Sequence, residues 1–306
     1  MGDVLVGKVI SAHGAIFNVQ VGDEVIQCKL RGKMRLQDKV STSPVVAGDN
    51  VKVRILEDGT GVIEEVFERF NKLYRKAVGK RELEHVIVAN IDQAIVVTSF
   101  NMPYVPWGFV DRLLIASERN NIKPIICINK IDLIEDWKEV NEFVKVYGKK
   151  AGYEIIKTSA ETGEGLDNLK KILKDKTSVF VGQSGVGKSA LINAIEPGLD
   201  VVTMEVSEKT GKGRHTTTHT ELHHLSFGGF IADTPGVKEF GLAGISKSEL
   251  GFYYPEFRKF LDQCKFSNCT HVHEPDCAVK EALNAGKIDR RRYMNYVNIL
   301  NSLEEN

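Results

Sequence analysis

No stretch of this sequence is apolar for long enough to cross a bilayer. The longest such runs, near Ala94-Ile95-Val96-Val97 and residues 124–128, fall far short of the roughly 20 residues a spanning helix needs. Net charge is also missing. Lys+Arg and Asp+Glu balance at 41 each, so bulk electrostatics favour neither nucleic acid nor a membrane surface, and only local clusters can. The opening Met1-Gly2-Asp3-Val4 has no basic segment followed by an apolar one, so no secretory signal is expected. The expectation is a cytoplasmic protein with no membrane partner. Cysteine is scarce, but three of the five, Cys264, Cys269 and Cys277, crowd together. Without a secretion signal that grouping favours metal over disulfides. No internal repeat or low-complexity tract is evident. What remains is ordinary globular material, 42% hydrophobic and 27% charged, and 306 residues suffice for two or three domains.

The composition changes along the chain. Residues 1–67 read as short strands, at 4–6, 16–21, 25–30, 51–56 and 62–63, split by turns such as Gly22-Asp23 and Asp58-Gly59. Short strands without helical periodicity predict a small antiparallel barrel, and an OB-fold fits best by size. Lys29, Arg31, Lys33 and Arg35 would share one face of an extended strand, either a nucleic-acid face or a solvated edge guarded by cations. Residues 68–85 read as a basic linker. Arg69, Lys72, Arg75, Lys76, Lys80 and Arg81 fall between 69 and 81 with no acidic residue, a composition suited to phosphate backbones. From 86 to 240 strands alternate with helices. Strands are predicted at 93–98, 123–129, 153–157 and 178–181, with helices at 106–119, 135–147 and 165–173 and another opening at Gly187. That rhythm predicts a parallel sheet covered by helices. Residues 241–306 turn to helical segments around the cysteines, with a charged helix from about Ile288.

Gly182-Gln183-Ser184-Gly185-Val186-Gly187-Lys188-Ser189, with Ala190 behind it, matches the phosphate-binding loop pattern and sits between a strand and a helix, as that pattern requires. Glycines let the backbone wrap a phosphate with its N–H groups inward, and the helix N-terminus adds its dipole. Lys188 is expected on the β- and γ-phosphates and Ser189 on Mg²⁺.

The base follows from a second motif. Asn129-Lys130-Ile131-Asp132 stands at the carboxyl edge of a buried strand, where open α/β sheets bind nucleotides. A carboxylate at Asp132 accepts from guanine N1–H and its exocyclic amine together. Adenine has no such donor pair and would leave the charge unmatched. Asn129 would hold the loop, and the stem of Lys130 would cover the ring. Thr158-Ser159-Ala160, one helix and strand later, matches the element whose backbone meets the base oxygen. The ligand is therefore read as GTP or GDP.

Asp233-Thr234-Pro235-Gly236 follows the apolar 230–232 and fits the γ-phosphate sensor, with Asp233 towards Mg²⁺ and the Gly236 N–H towards the phosphate. The basic segment 211–218 suits the first switch, and Thr217 is its expected Mg²⁺ ligand. Val237 follows the sensor glycine, where Ras-like GTPases carry a glutamine that orients water. Valine cannot, so hydrolysis needs another group. His215 either supplies it once a partner orders the switch or merely caps and packs that segment.

The motif order is permuted: base recognition comes first and the phosphate loop later, and the sensor leads directly into the cysteine segment. Moving the termini to another loop preserves the site. It also suggests that nucleotide state repositions the C-terminal region. There, Cys264, Cys269 and Cys277 with His271 or His273 offer three thiolates and an imidazole, a set suited to tetrahedral, structural Zn²⁺.

The permuted order, the G-Q-S-G-V-G-K-S, G-R-H-T-T and D-T-P-G segments and the C-x4-C-x-H-x5-C knuckle together resemble the ribosome small-subunit-dependent GTPase A (RsgA) family over essentially the whole chain. The resemblance implies an N-terminal OB-fold barrel, a circularly permuted α/β P-loop GTPase domain and a mainly helical zinc-binding domain. It implies Cys264, Cys269, His271 and Cys277 as zinc ligands. It also implies GTP hydrolysis stimulated by the small (30S) ribosomal subunit, binding to 16S rRNA, and a role in late subunit maturation, with a monomer expected. The alternatives are a permuted GTPase serving another RNA or a membrane-associated partner, and an RNA-binding protein for which GTP is only a conformational ligand.

Overall fold

The computed structural model describes residues 4–32, 44–76, 84–199, 220–233, 242 and 245–303. In chain order the strands begin with β1 (Val4–His13), β2 (Ile16–Val21), β3 (Glu24–Leu30), β4 (Asn50–Ile55), β5 (Gly61–Val66), β6 (Lys72–Lys76), β7 (Glu84–Ala89) and β8 (Gln93–Thr98). Helix α1 (Trp107–Arg119), β9 (Lys123–Ile128), α2 (Lys138–Phe143), β10 (Glu154–Lys157), α3 (Leu166–Leu173), β11 (Thr177–Val181) and α4 (Lys188–Ile195) follow. The chain continues with β12 (Glu221–His224), β13 (Phe230–Asp233), α5 (Pro255–Leu261), α6 (Ala278–Asn284) and α7 (Arg290–Ser302). Two compact units form, one drawn from Met1–Gln93, Lys170–Phe180 and Gly198–Glu239, the other from Ala94–Leu169, Val181–Pro197 and Phe240–Asn306.

In the first unit β1 to β5 close into a barrel of order β1-β2-β3-β5-β4-β1. The β3–β5 pair is parallel and the others antiparallel, as in an OB-fold. Strict alternation turns Phe17 and Val19 of β2 inward onto Val9, Val51, Val53 and Ile63. The same unit holds β11 parallel to β13, which pairs with β12.

The segment read as a basic linker is ordered structure where it is described. β6 and β7 form an antiparallel hairpin, with Leu73 opposite Val88. Beneath the run of cations, Leu73, Val86 and Val88 bury one face of this hairpin. The hairpin is fixed to the barrel by Ala89 N–H on the Ala47 carbonyl (3.0 Å) and by the Asn90 amide on the Gly48 carbonyl (2.9 Å). Arg69 clasps both oxygens of buried Asp49 at 2.7 and 2.8 Å. Of the four alternating cations, Lys33 and Arg35 lie outside the described residues, and Lys29 is exposed at the end of β3.

In the second unit β9 stands between β8 and β10, running parallel to β10. β8 is buried along its full length, the pattern of a strand covered on both faces. Pro106 starts α1 from an extended conformation, leaving Trp107, Val110, Asp111 and Leu114 on the buried face. The helix predicted over 135–147 begins later, where the Asp136 carboxylate accepts from Lys138 N–H, and it widens into a π-turn over Val144–Lys150. The C-terminal helices build a core of their own around Tyr254, Phe257, Val279, Tyr296 and Ile299, extended by Ile115 of α1.

Gly48 marks the tightest barrel-to-hairpin approach. Its φ is +91°, and a Cβ there would lie 1.9 Å from the Ala89 carbonyl oxygen. Gly48→Ala is expected to lower stability by about 3 kcal/mol in denaturant unfolding. An unchanged midpoint would contradict this packing.

Candidate functional site

The phosphate loop leaves the buried β11 and enters α4 through left-handed Gly185 and Gly187. The ammonium of Lys188 folds back into the loop, donating to the carbonyls of Gly182 and Gln183 at 3.0 Å each. Gly187, at φ +93°, has no room for a side chain, because a Cβ would meet Asn129 Nδ2 at 2.5 Å. Ser189 is the second residue of α4 and Ala190 the third, exposed. Ser184 is exposed, and Val186 is buried.

That close approach joins the two motifs. Asn129, at the end of β9 and 1% exposed, donates from Nδ2 to the Val186 carbonyl at 2.9 Å. Its Oδ1 accepts from the hydroxyl of buried Thr158 at 3.1 Å. Residues 129, 158 and 186 therefore meet at one carboxamide. Lys130 takes a left-handed backbone (φ 60°) and donates its ammonium to the Met102 carbonyl. Asp132 follows in the single turn Ile131–Leu133 with its carboxylate in solvent. The next loop is set by Ser159, whose N–H donates to the Glu164 carbonyl (2.9 Å) and whose hydroxyl accepts from Thr162 N–H (3.0 Å). Ala160 follows, half-buried. Asp233 ends β13. Its side chain lies outside the described residues, as do His215, Thr217 and Gly236.

The segment after β8 is a part of this site that sequence motifs did not reveal. Pro103 Cδ would lie 3.5 Å from a Cβ on Gly185, and the preceding carbonyl holds Lys130. No motif identifies it, because the contacts are made by backbone and a proline ring.

The cysteine cluster assembles as a second centre. Ligand atoms of Cys264, Cys269, His271 and Cys277 lie within 4.8 Å of one another. The Cys264 and Cys277 sulfurs are 3.9 Å apart, and His271 Nδ1 is 3.6 and 3.5 Å from them. Zn–S bonds of about 2.3 Å and a Zn–N bond of about 2.0–2.1 Å put tetrahedral edges at about 3.8 Å for S–S and about 3.6 Å for S–N. The donor set and its spacing fit zinc. Of the two histidines weighed, His271 is in the cluster, while His273 is exposed. Burial pushes the Cys269 thiol up to about 12, so a bound cation is needed to hold it as thiolate. Burial also lowers His271, keeping the ring neutral for metal at pH 7.

The knuckle backbone is fixed from two sides. Glu274 accepts from the Thr270 hydroxyl (2.6 Å) and from Thr270 and Val272 N–H. Partial burial opposes its charge, but these hydrogen bonds outweigh that and hold it at about 2. From α7, the Tyr293 and Tyr296 hydroxyls donate to the carbonyls of His271 (2.7 Å) and Thr270 (2.8 Å).

Directly before Tyr293, α7 carries the largest fully buried side chain described, Arg292, 1% exposed. Its guanidinium bonds Asp111 of α1 and donates to both oxygens of Glu256 of α5, at 2.7 and 3.1 Å. Asp111 also accepts from Tyr147 (2.6 Å) and Asn295 (2.6 Å), and Tyr254 covers the guanidinium face at 4.5 Å. The sequence did carry a signal for this cluster. Positions 107, 110, 111 and 114 form a buried helical stripe, and Asp111 is the charged member of it. Removing the cation leaves two buried carboxylates uncompensated. Arg292→Met is expected to cost about 3–5 kcal/mol in unfolding experiments. Arg291→Met, at an exposed pair, should cost under about 1 kcal/mol. Equal effects would contradict this assignment.

Comparison with known proteins agrees with this geometry. The RsgA N-terminal domain model matches residues 6–63, and the RsgA GTPase model matches residues 66–243. A Christiangramia forsetii protein named small ribosomal subunit biogenesis GTPase RsgA is 40% identical over 306 residues, spanning 98% of this chain and 97% of that one. The crystal structure of YjeQ from Thermotoga maritima superposes with a TM-score of 0.83 at 39% identity, covering 98% and 99% of the two chains. That of YloQ, described as a circularly permuted GTPase, gives 0.80 at 35%, covering 98% and 95%. With both family models matched and the relatives aligned from end to end, the chain belongs to the RsgA GTPase family.

Proposed function

We propose that this protein hydrolyses GTP to GDP and phosphate, that the small ribosomal subunit stimulates the reaction, and that the cycle serves late maturation of that subunit through contacts with 16S rRNA. The observation that carries the reading is the Asn129 carboxamide joining the N-K-x-D strand end to the phosphate loop, in a chain of the RsgA GTPase family.

In this reading Asp132 accepts from guanine N1–H and the exocyclic amine, while the Ser159-Ala160 backbone meets the base oxygen. The aliphatic stem of Lys130, anchored on Met102, covers one face of the ring. The backbone from Gly182 to Ala190 wraps the phosphates. Lys188 exchanges the Gly182 and Gln183 carbonyls for β- and γ-phosphate oxygens, which are better acceptors for an ammonium. Ser189, Thr217 and Asp233 are the residues that would hold Mg²⁺, which when bound neutralises charge on the β- and γ-oxygens. The Gly236 N–H senses the γ-phosphate. His215 orients the attacking water, since Val237 offers no polar group for it. Catalysis is positioning and electrostatic stabilisation for in-line attack, with no covalent work by the protein.

Zinc held by Cys264, Cys269, His271 and Cys277 is structural, because four protein ligands leave no open coordination position. The barrel, the basic hairpin and the zinc region supply the rRNA contacts. The protein acts as a cytoplasmic monomer. Among the described residues, no helix is long and apolar enough to cross a membrane.

GTP turnover measured alone, with purified 30S subunits, and with 50S subunits or bulk RNA tests this reading. Slow turnover alone and stimulation confined to 30S are expected. Equal stimulation by any RNA, or no turnover under any condition, would overturn it.

A further inference from the structure

Asp132 carries its carboxylate on one short turn, Ile131–Leu133. The turn is closed by local hydrogen bonds, Leu133 N–H on the Lys130 carbonyl (3.1 Å) and Ile134 N–H on the Ile131 carbonyl (3.2 Å). Bonds of this tight type have poorer geometry than those of an α-helix. The inner end of the turn is anchored. Ile131 is buried, and its N–H donates to the Thr158 carbonyl at 3.3 Å. The outer end stands in solvent, with Asp132 and Leu133 both exposed. A turn held only at its inner end is free to rock about Ile131.

The loop after β8 supplies the outer hold. Asn101 donates from Nδ2 to the Leu133 carbonyl at 3.0 Å, just past Asp132. Its neighbour Met102 accepts the ammonium of Lys130, two residues before Asp132. Consecutive residues of one loop thus straddle the carboxylate. The loop itself is fixed. Val105 N–H donates to the Ser99 carbonyl at 3.0 Å and the Ser99 hydroxyl donates to the Pro103 carbonyl, closing the neck. Ser99 and Val105 are buried, and the Phe100 ring packs edge-on against Phe143 at 5.3 Å. A rigid loop can position the turn it touches, whereas a loose one would follow it.

Alignment matters at this carboxylate. Reading guanine takes two side-by-side hydrogen bonds, from N1–H and from the exocyclic amine, and a small tilt sacrifices one of them.

We propose that Asn101 is a positioning residue for base specificity: by tethering Leu133 it holds the Asp132 carboxylate square to guanine, so that the exocyclic amine is read. The proposal rests on the guanine-nucleotide reading above. It assigns part of the selectivity to a residue outside the N-K-x-D, T-S-A and phosphate-loop segments.

Calorimetry on the full-length protein with GDP, inosine diphosphate and ADP tests it. Inosine diphosphate keeps N1–H and the base oxygen and lacks only the amine. The parent is expected to bind GDP more tightly than inosine diphosphate, and ADP far more weakly than either. Two variants remove the tether. Asn101→Ala deletes the donor, and Asn101→Asp keeps the shape but turns an acceptor towards the Leu133 carbonyl. Each is expected to weaken GDP about fivefold and inosine diphosphate less than about twofold, so the preference for the amine shrinks. Urea unfolding midpoints stay close to the parent's, because residue 101 is exposed. Equal weakening of GDP and inosine diphosphate overturns the proposal and makes Asn101 a general support of the site. No change in either nucleotide also overturns it, as does a parent that prefers GDP to ADP but not to inosine diphosphate. If the parent does not prefer GDP to ADP, the guanine reading falls and this proposal with it.

Discussion

A single carboxamide joins the three segments of the proposed nucleotide site. Asn129 closes a buried strand, donates to the phosphate loop at Val186 and accepts from Thr158 at the end of the next strand. The three segments are far apart in sequence, but each ends a strand or starts a helix of the same unit. Their meeting depends on strand ends and not on chain order, which is why the permuted order leaves the site intact. The same carboxamide explains a composition constraint. Gly187 must lack a side chain because Asn129 occupies the space, so the third loop glycine and the N-K-x-D asparagine specify each other.

The C-terminal region is held by a different device. Arg292 sits between Asp111 and Glu256 with almost no solvent, so α1, α5 and α7 meet through charges that are costly to separate. From the same helix Tyr293 and Tyr296 grip the zinc knuckle, and Arg291 lies 4.0 Å over Trp107 at the start of α1. The chain immediately before α1 packs beside Gly185 and anchors Lys130. The sequence order suggested that nucleotide state reaches the zinc region through the sensor at 233–236. Within one unit the structure adds a second chain of contacts through α1, on the side of the N-K-x-D motif, buried at Arg292 and Asp111 and exposed where Lys130 meets Met102. The C-terminal core extends to Ile115 of α1 and includes Cys269 and Cys277, so the cysteine cluster belongs to a packed core and not to a coreless segment.

Most of the architecture was legible because its signals are local. Alternation at Phe17 and Val19 gives the barrel strand, continuous burial gives β8 and β11, and Pro106 gives the start of α1. Phosphate-loop and N-K-x-D residues announce themselves because their chemistry fixes both residue type and spacing. Three features were hidden for physical reasons. The hairpin after the barrel was masked by its charge, although Leu73, Val86 and Val88 carry its buried face. The π-turn that aims Tyr147 at Asp111 has no periodicity that distinguishes it from helix. Arg292, read alone, looks like one more surface cation in Arg290-Arg291-Arg292. Only the matching carboxylate in the apolar stripe of α1, 181 residues away, reveals its role.

The central claim is that Asn129 unites base and phosphate recognition, whereas Asp132 only reads the base. Binding of GDP and xanthosine diphosphate to Asn129→Ala and Asp132→Asn, measured side by side by calorimetry, tests it most directly. The account predicts that Asp132→Asn loses GDP and gains xanthosine diphosphate, whose O2 accepts from the new amide, because the phosphate loop is untouched. It predicts that Asn129→Ala loses both ligands together. Retention of either nucleotide at parent affinity by Asn129→Ala would contradict it.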